Sequence, residues 1–187
     1  MPSVEYNRAI PNVRGPIGLR ALCWKEGQDA FLSPAYAVRW ERSGLLIATC
    51  QHGCREIPGD HCRCGVYVAL FPWLAKQYLR GQGSALFLVE GCGKTRIPTQ
   101  DLRGFRAEQG YVLAAVVSEP QVPRLRAIDG DPEKLTGQDL TAFYGAQYFD
   151  VPVITLAEAR ESIQQQWEAL GHQLPIDKGG YWSTTTR

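Results

Sequence analysis

No stretch of this sequence approaches the run of about eighteen apolar residues that a membrane-spanning helix requires, and Met1 to Gly18 holds no apolar core of signal-peptide length. The expectation is a cytoplasmic protein without a membrane contact. Charge of one sign is missing as well. Twenty Lys and Arg against 19 Asp and Glu leave a net charge of +1, which gives no global attraction to nucleic acid or anionic lipid, although a local basic face is still allowed. Histidine occurs only three times, and His172 is the single one outside a short central stretch. A Ser-His or Cys-His catalytic set therefore cannot be assembled. Internal repeats and low-complexity linkers are absent too.

Cysteine is concentrated instead. Four of the six cysteines and two of the three histidines fall in the fifteen residues from Cys50 to Cys64. In a reducing compartment such a cluster points to metal before disulfides. Zinc takes four sulfur or nitrogen ligands in a tetrahedron, supplied by turns that aim them at one point. Cys50-x3-Cys54 has a usual pair spacing, whereas Cys62-x-Cys64 is tighter and needs a turn to converge. Gly59 and Gly65 permit such a backbone, and Pro58 stiffens the crossing between the pairs. Arg55 and Arg63 could offset the excess charge of four thiolates. The predicted ligands are Cys50, Cys54, Cys62 and Cys64 around Zn2+, in a structural site of zinc-knuckle type. His52 is the main rival, in place of Cys54, and His61 is a second. Disulfides, an iron–sulfur cluster and a catalytic zinc are the competing readings. The His-x-Glu and Pro-Cys-x-x-Cys pattern of zinc deaminases is not present.

The chain reads as α+β, a mostly antiparallel sheet with a zinc-binding loop and a helical C-terminal third. Its 187 residues suffice for a core without a metal, since chains of this size bury roughly 70% of their unfolded surface. The expected organisation is an N-terminal arm over 1–16, a β-rich metal-binding core over 17–128 and a helical part over 129–187. Ile17–Trp24 reads as a first strand, with Cys23 a small buried hydrophobe. Lys25–Asp29 reads as a turn. Tyr36–Trp40 and Leu45–Cys50 are expected to follow as strands of a meander that delivers Cys50 at a strand end. A helix is expected from Pro72 to about Leu79, then strands over Ser84–Glu90, Arg103–Glu108 and Tyr111–Glu119, with Gly104 and Gly110 at turns or bulges. A short strand over Val122–Ile128, a helix over Gly137–Phe149 and an extended piece over Val151–Ile154 complete that order. Thr155-Leu-Ala-Glu158 has capping-box spacing and opens a helix whose buried stripe is Leu156, Ala159, Ile163, Trp167 and Leu170, ended by Gly171. The tail from Gly179 reads as frayed.

Other motifs carry less. Gly91-Cys-Gly-Lys94-Thr95 imitates the end of a phosphate loop, but Leu88 stands where the first glycine belongs, so a β-turn is expected. Cys92 lies too far along the chain to join the metal set by spacing. Lys94, Arg96, Arg103 and Arg106 with Phe105 could form a basic strip, the one hint of nucleic-acid contact. Glu90 and Glu108 are the carboxylates beside it.

Cys62-Arg-Cys64-Gly65-Val-Tyr67-Val resembles a Cys-x-Cys-Gly-Ile-Tyr-Ala motif, and Gly104-Phe-Arg106-Ala-Glu108 resembles a Gly-aromatic-Arg-Ala-Glu motif. The two occur in that order in small uncharacterised bacterial and phage proteins, and the resemblance spans about residues 17–117. In that pattern a cysteine, matched by Cys50, and a His-x-x-Pro step precede the Cys-x-Cys. Cys54 stands near the histidine's place, so His52 against Cys54 is left open. The resemblance implies a shared metal site and no activity. The first functional reading is a zinc-bearing binding or regulatory module for a protein or nucleic-acid partner. The alternatives are an enzyme with a pocket between sheet and C-terminal helices that uses Arg106, Glu108 and Tyr67, or a redox or metal sensor.

Overall fold

The computed structural model describes residues 14–34, 37–59, 62–79, 81, 83–97, 103–118 and 137–174. The arm before residue 14, the strand expected over 122–128 and the tail after 174 lie outside them. Along the chain run strands β1 (Ile17–Lys25), β2 (Ala30–Leu32), β3 (Leu45–Ile47) and β4 (Val66–Ala69), then helix α1 (Pro72–Lys76). Strands β5 (Ser84–Arg96) and β6 (Gly104–Val117), helix α2 (Gly137–Phe149), strand β7 (Val153–Thr155) and helix α3 (Leu156–Ala169) follow. This is a mixed α/β arrangement, with one large sheet and three helices among the described residues.

The longest strands, β5 and β6, are antiparallel partners whose middle residues are buried. Fully buried strands read as continuous apolar runs, and Ala85–Val89 and Val112–Val117 are such runs. β5 also pairs with β1, β1 touches β4 at Leu19 and Ala69, and β4 pairs with β6. The ladder β1–β5–β6–β4 therefore closes on itself, so its inner side chains are buried together. Phe105, Leu19, Leu88 and Val68 are fully buried.

Several expectations need correcting. Two strands separated near Gly110 are one, because Gly110 stays in register with Gly91. Its lack of a side chain serves close approach, since a Cβ there would lie 2.8 Å from Val66 Cγ1 and 2.9 Å from Trp40 Cη2. The Gly91–Thr95 turn is instead a bulge within β5, between Cys92 and Thr95, which a glycine in the left-handed region at Gly93 (φ 70°) allows. No strand runs through Val38–Trp40. Ala37 has φ 51°, its N–H turns back to the Ser33 carbonyl, and only Arg39 bridges to Leu32. The short β2, which the apolar pattern does not announce, pairs there with β1. β3 ends at Ile47, three residues before Cys50, and pairs with β6, so no meander forms.

The sheet is also mixed. β7 runs parallel to β6, as a crossover connection permits, and here the crossover includes α2. The C-terminal third is thus only partly helical. The Thr155 capping box is present: Thr155 Oγ1 accepts from the Glu158 N–H (3.0 Å) and Glu158 Oε2 accepts from the Thr155 N–H (2.7 Å). Leu156, Ala159, Ile163 and Trp167 are buried, but Leu170 is exposed. It follows the last helical turn, and Gly171 (φ 80°) then carries the chain away while the His172 N–H caps the Trp167 carbonyl. Trp167 Nε1–H donates to the Ile17 carbonyl at 2.8 Å, which fastens α3 to β1.

Beneath α2, Phe31, Phe87 and Phe149 meet with ring centroids 5.3–5.7 Å apart. Gly145 makes room for them, because a Cβ there would stand 2.3 Å from Phe87 Cζ and 3.1 Å from Phe31 Cζ. Alanine gains about 1 kcal/mol over glycine in a helix, whereas forcing a methyl into a packed core costs about 1–3 kcal/mol. With the Phe87 ring held by two others, the second effect is the larger. Gly145→Ala is expected to lower unfolding free energy by about 1 kcal/mol, and a urea titration showing stabilisation would contradict this.

Candidate metal centre

The loop from Ala48 to Gly65 leaves β3 and enters β4, both partners of β6. Its first turn is closed by the Gly53 N–H on the Cys50 carbonyl (3.3 Å), with Gly53 at φ 67°. The loop brings Cys50, Cys54, Cys62 and Cys64 together, with all four Sγ atoms within 4.8 Å of one another. Cys50 and Cys62 are 3.6 Å apart, sulfur to sulfur. A tetrahedral ion bound at about 2.3 Å would set its sulfurs about 3.8 Å apart, so this donor set is compatible with a metal ion. All six cysteines are free thiols. Cys92 and Cys23 are outside the cluster. His52 is exposed, and His61 lies outside the described residues.

Backbone N–H groups point at the sulfurs. The Gly59 N–H donates to Cys64 Sγ at 3.1 Å, and a Cβ on Gly59 would lie 2.9 Å from Cys54 Sγ. The Cys54 N–H, with the His52 N–H and the neighbouring thiols, outweighs desolvation and brings the Cys50 thiol down to about 6. Cys54 is pushed up to about 12, first by its contact with Cys50 and then by burial. Cys62 is also raised: the Cys64 N–H favours its thiolate, but Cys50 and burial outweigh that. Cys50 is thus the thiol that ionises first, with Cys54 and Cys62 held protonated beside it.

Two arginines hold the loop to the sheet. Arg106 on β6 donates through Nη1 to the carbonyl of Cys62 and, at 3.2 Å, to that of Cys64. Arg96 Nε donates to the Pro58 carbonyl at 2.8 Å. The two short motifs are neighbours in the sheet, with Tyr67 opposite Arg106 and Val66 opposite Ala107. Gly65, at φ 111°, makes the turn between loop and strand. This supporting role of Arg106 and Arg96 does not follow from the motifs themselves. The signal available was an arginine beside Phe105 and Ala107 in an otherwise buried strand.

The expected basic strip is not one free surface. Phe105 is fully buried, Lys94 pairs with Glu56, and Arg96 and Arg106 bind the loop. Arg55 and Arg63 are both exposed, and Arg63 also lines a cavity. Where the phosphate-loop mimic would need an anion, Glu108 Oε2 already accepts from the Lys94 N–H at 3.2 Å. Glu90 accepts from the Arg14 and Gly15 N–H groups at 2.7 and 2.6 Å. His172 stacks near Trp167, ring centroids 5.3 Å apart.

A cavity of about 370 Å³ adjoins the loop, with Arg20, Arg63, Tyr67 and Arg106 in its walls. Its described walls belong to β1, β4, β6, α1 and adjoining loops, not to the C-terminal helices. Arg106 and Tyr67 reach it, but Glu108 does not, so the expected enzyme trio is divided. Among the described residues no helix is long and apolar enough to cross a membrane. Comparison with known proteins finds no family model, no curated protein and no solved structure that matches this chain.

Groups that orient metal ligands from outside the coordination sphere are commonly worth about 10- to 100-fold in metal affinity. Arg106→Gln should speed metal removal by a chromogenic chelator by at least about tenfold, while His52→Ala should leave it unchanged. Equal release rates for wild type and Arg106→Gln would remove Arg106 from this role.

Proposed function

We propose that this protein is a binding module built around a structural zinc centre, with Cys50, Cys54, Cys62 and Cys64 as the four ligands. The observation that carries this reading is the convergence of four thiols on one point, held by N–H···S bonds and by arginines on their backbone carbonyls. Four sulfur donors complete a tetrahedron and leave no position for water, which is the property of structural zinc. All-sulfur tetrahedral sites suit zinc or iron–sulfur chemistry, and the short, N–H-lined loop supplies one ion's worth of ligands. Four thiolates on a divalent cation carry an excess negative charge, and Arg106 and Arg96 lie where they reduce it.

A catalytic reading has less support. Among the described residues, the cavity beside the loop has no carboxylate, histidine or cysteine in its walls, hence no general base or nucleophile of those kinds. The zinc supports a surface that binds, and does not activate water.

Metal analysis combined with native mass spectrometry tests this reading. Purified chain should be colourless and hold one zinc ion, and Cys62→Ser should lose it together with the order of the loop. A brown protein, an open coordination position carrying water, or full zinc occupancy in Cys62→Ser would each overturn the proposal. Chelation should leave the sheet folded, because the Phe31–Phe87–Phe149 core includes no cysteine. Far-UV circular dichroism before and after chelator checks this, with loss of the strand signal as the contrary result.

A further inference from the structure

The cavity next to the cysteine loop is electrostatically unbalanced. Three guanidinium side chains, Arg20, Arg63 and Arg106, line it, and no acidic side chain among the described residues does. Arg20 is the most constrained. Its Nη1 donates to the Tyr67 carbonyl and its Nη2 to Ser33 Oγ at 2.9 Å, both neutral acceptors. Its Nε is buried with no hydrogen-bond partner. Trp40 covers one side, with the guanidinium carbon 5.8 Å from the ring centroid. Burial lowers its pKa to about 10, which still leaves it charged at neutral pH. The Arg20 side chain as a whole is half-buried, and a charge drawn out of water is ordinarily paired, because its desolvation is costly. This one is not paired by any described carboxylate.

The two other arginines are held differently. Arg106 has one nitrogen engaged with the Cys62 and Cys64 carbonyls, again neutral groups. Arg63 sits between those same cysteines, so the loop that carries the ligands also sets its position. Hence three arginines line a common space, Arg63 of them exposed, and Arg20 keeps an unmet buried donor. Tyr67, Tyr78 and the apolar Leu19, Ala69 and Ala75 complete the walls. At about 370 Å³ the space exceeds many times the roughly 30 Å³ share of one water. It falls within the range of small-molecule sites.

We infer that this cavity binds a small organic phosphate, its phosphate group on Arg20, Arg63 and Arg106 and its apolar portion against Tyr67, Tyr78 and Leu19. A phosphate monoester brings two negative charges and three acceptor oxygens, which suits several guanidinium donors better than a single carboxylate does. The volume and the tyrosines favour an organic substituent over the bare ion. The inference deepens the binding-module reading and rests on it only in that the metal loop positions Arg63 and Arg106.

Isothermal titration of the full chain with phenyl phosphate tests it, with inorganic phosphate and benzoate as comparison ligands and zinc content measured on each sample. Phenyl phosphate should bind about tenfold more tightly than either. Arg63→Ala should weaken phenyl phosphate about tenfold while retaining the wild-type zinc content and melting temperature. Lys94→Ala, which removes a cation outside the cavity, should leave the affinity unchanged. Arg20→Met, if its melting temperature shows it folded, should abolish binding. Absence of binding at millimolar phenyl phosphate in zinc-loaded protein would overturn the inference and leave the zinc reading intact. So would equal affinity in Arg63→Ala, tighter binding of benzoate or inorganic phosphate, or an equal loss in Lys94→Ala. Phenyl phosphate binding to protein that holds no zinc would sustain the inference and sink the zinc reading.

Discussion

Arg106 ties the cysteine loop to the sheet, and the arrangement of everything around the site follows from that attachment. Its backbone belongs to β6, where it pairs with Tyr67 on one side and Arg96 on the other. Its side chain reaches the carbonyls of two clustered cysteines. A loop from Ala48 to Gly65 would otherwise lose much chain entropy to hold one shape. Here its ends are fixed by β3 and β4, and its interior by Arg106 and Arg96. The remaining freedom lies in the sulfurs, and there electrostatics decides. The Cys50 thiol is shifted down and those of Cys54 and Cys62 up, so the four differ although they lie within 4.8 Å of one another.

The same attachment gives the loop a second consequence. Cys62-Arg63-Cys64 turns its sulfurs toward the cluster while Arg63 lines the cavity. Arg106, bound to the carbonyls of that segment, lines it as well. The metal cluster and the arginine cavity therefore share a wall and not merely a neighbourhood. Arg106 meets that segment through neutral backbone carbonyls.

The cysteine cluster was legible because ligand chemistry needs few residue types at short spacing, and four cysteines fall within fifteen residues. The helix at Thr155 was legible for a similar reason, since a capping box and an apolar stripe are both local. The misses are non-local. Nothing in Val151–Ile154 announces a parallel partner, and the β6–β7 pairing depends on a crossover through α2. Gly110 reads as a break because glycine usually is one, yet it serves the approach of Trp40 and Val66 from distant parts of the chain. Nothing beside Arg20 in the sequence announces the partners of its side chain. Its burial against Trp40 and Ser33 follows from the turn at Ala37, which the apolar pattern of residues 36–40 conceals. Arg96 and Arg106 looked like a solvated basic strip for the same reason: their partners are backbone carbonyls, which a sequence does not display.

The metal site and the core are separable in physical terms. The closed ladder of β1, β5, β6 and β4 and the aromatic cluster under α2 bury large side chains such as Phe31, Phe87, Phe105 and Trp167. None of these depends on a thiol. The cysteine loop, by contrast, contains few buried residues among those described, Pro58 and Gly59 being two of them. A segment with so little apolar burial gains little from the hydrophobic effect, so its order must come from directed interactions such as N–H···S bonds and arginine-to-carbonyl bonds. Regions held in this way open at lower free energy than the core. That places the adaptable part of the molecule beside the arginine cavity and the rigid part behind it, which is the division of labour expected of a binding site carried on a stable sheet.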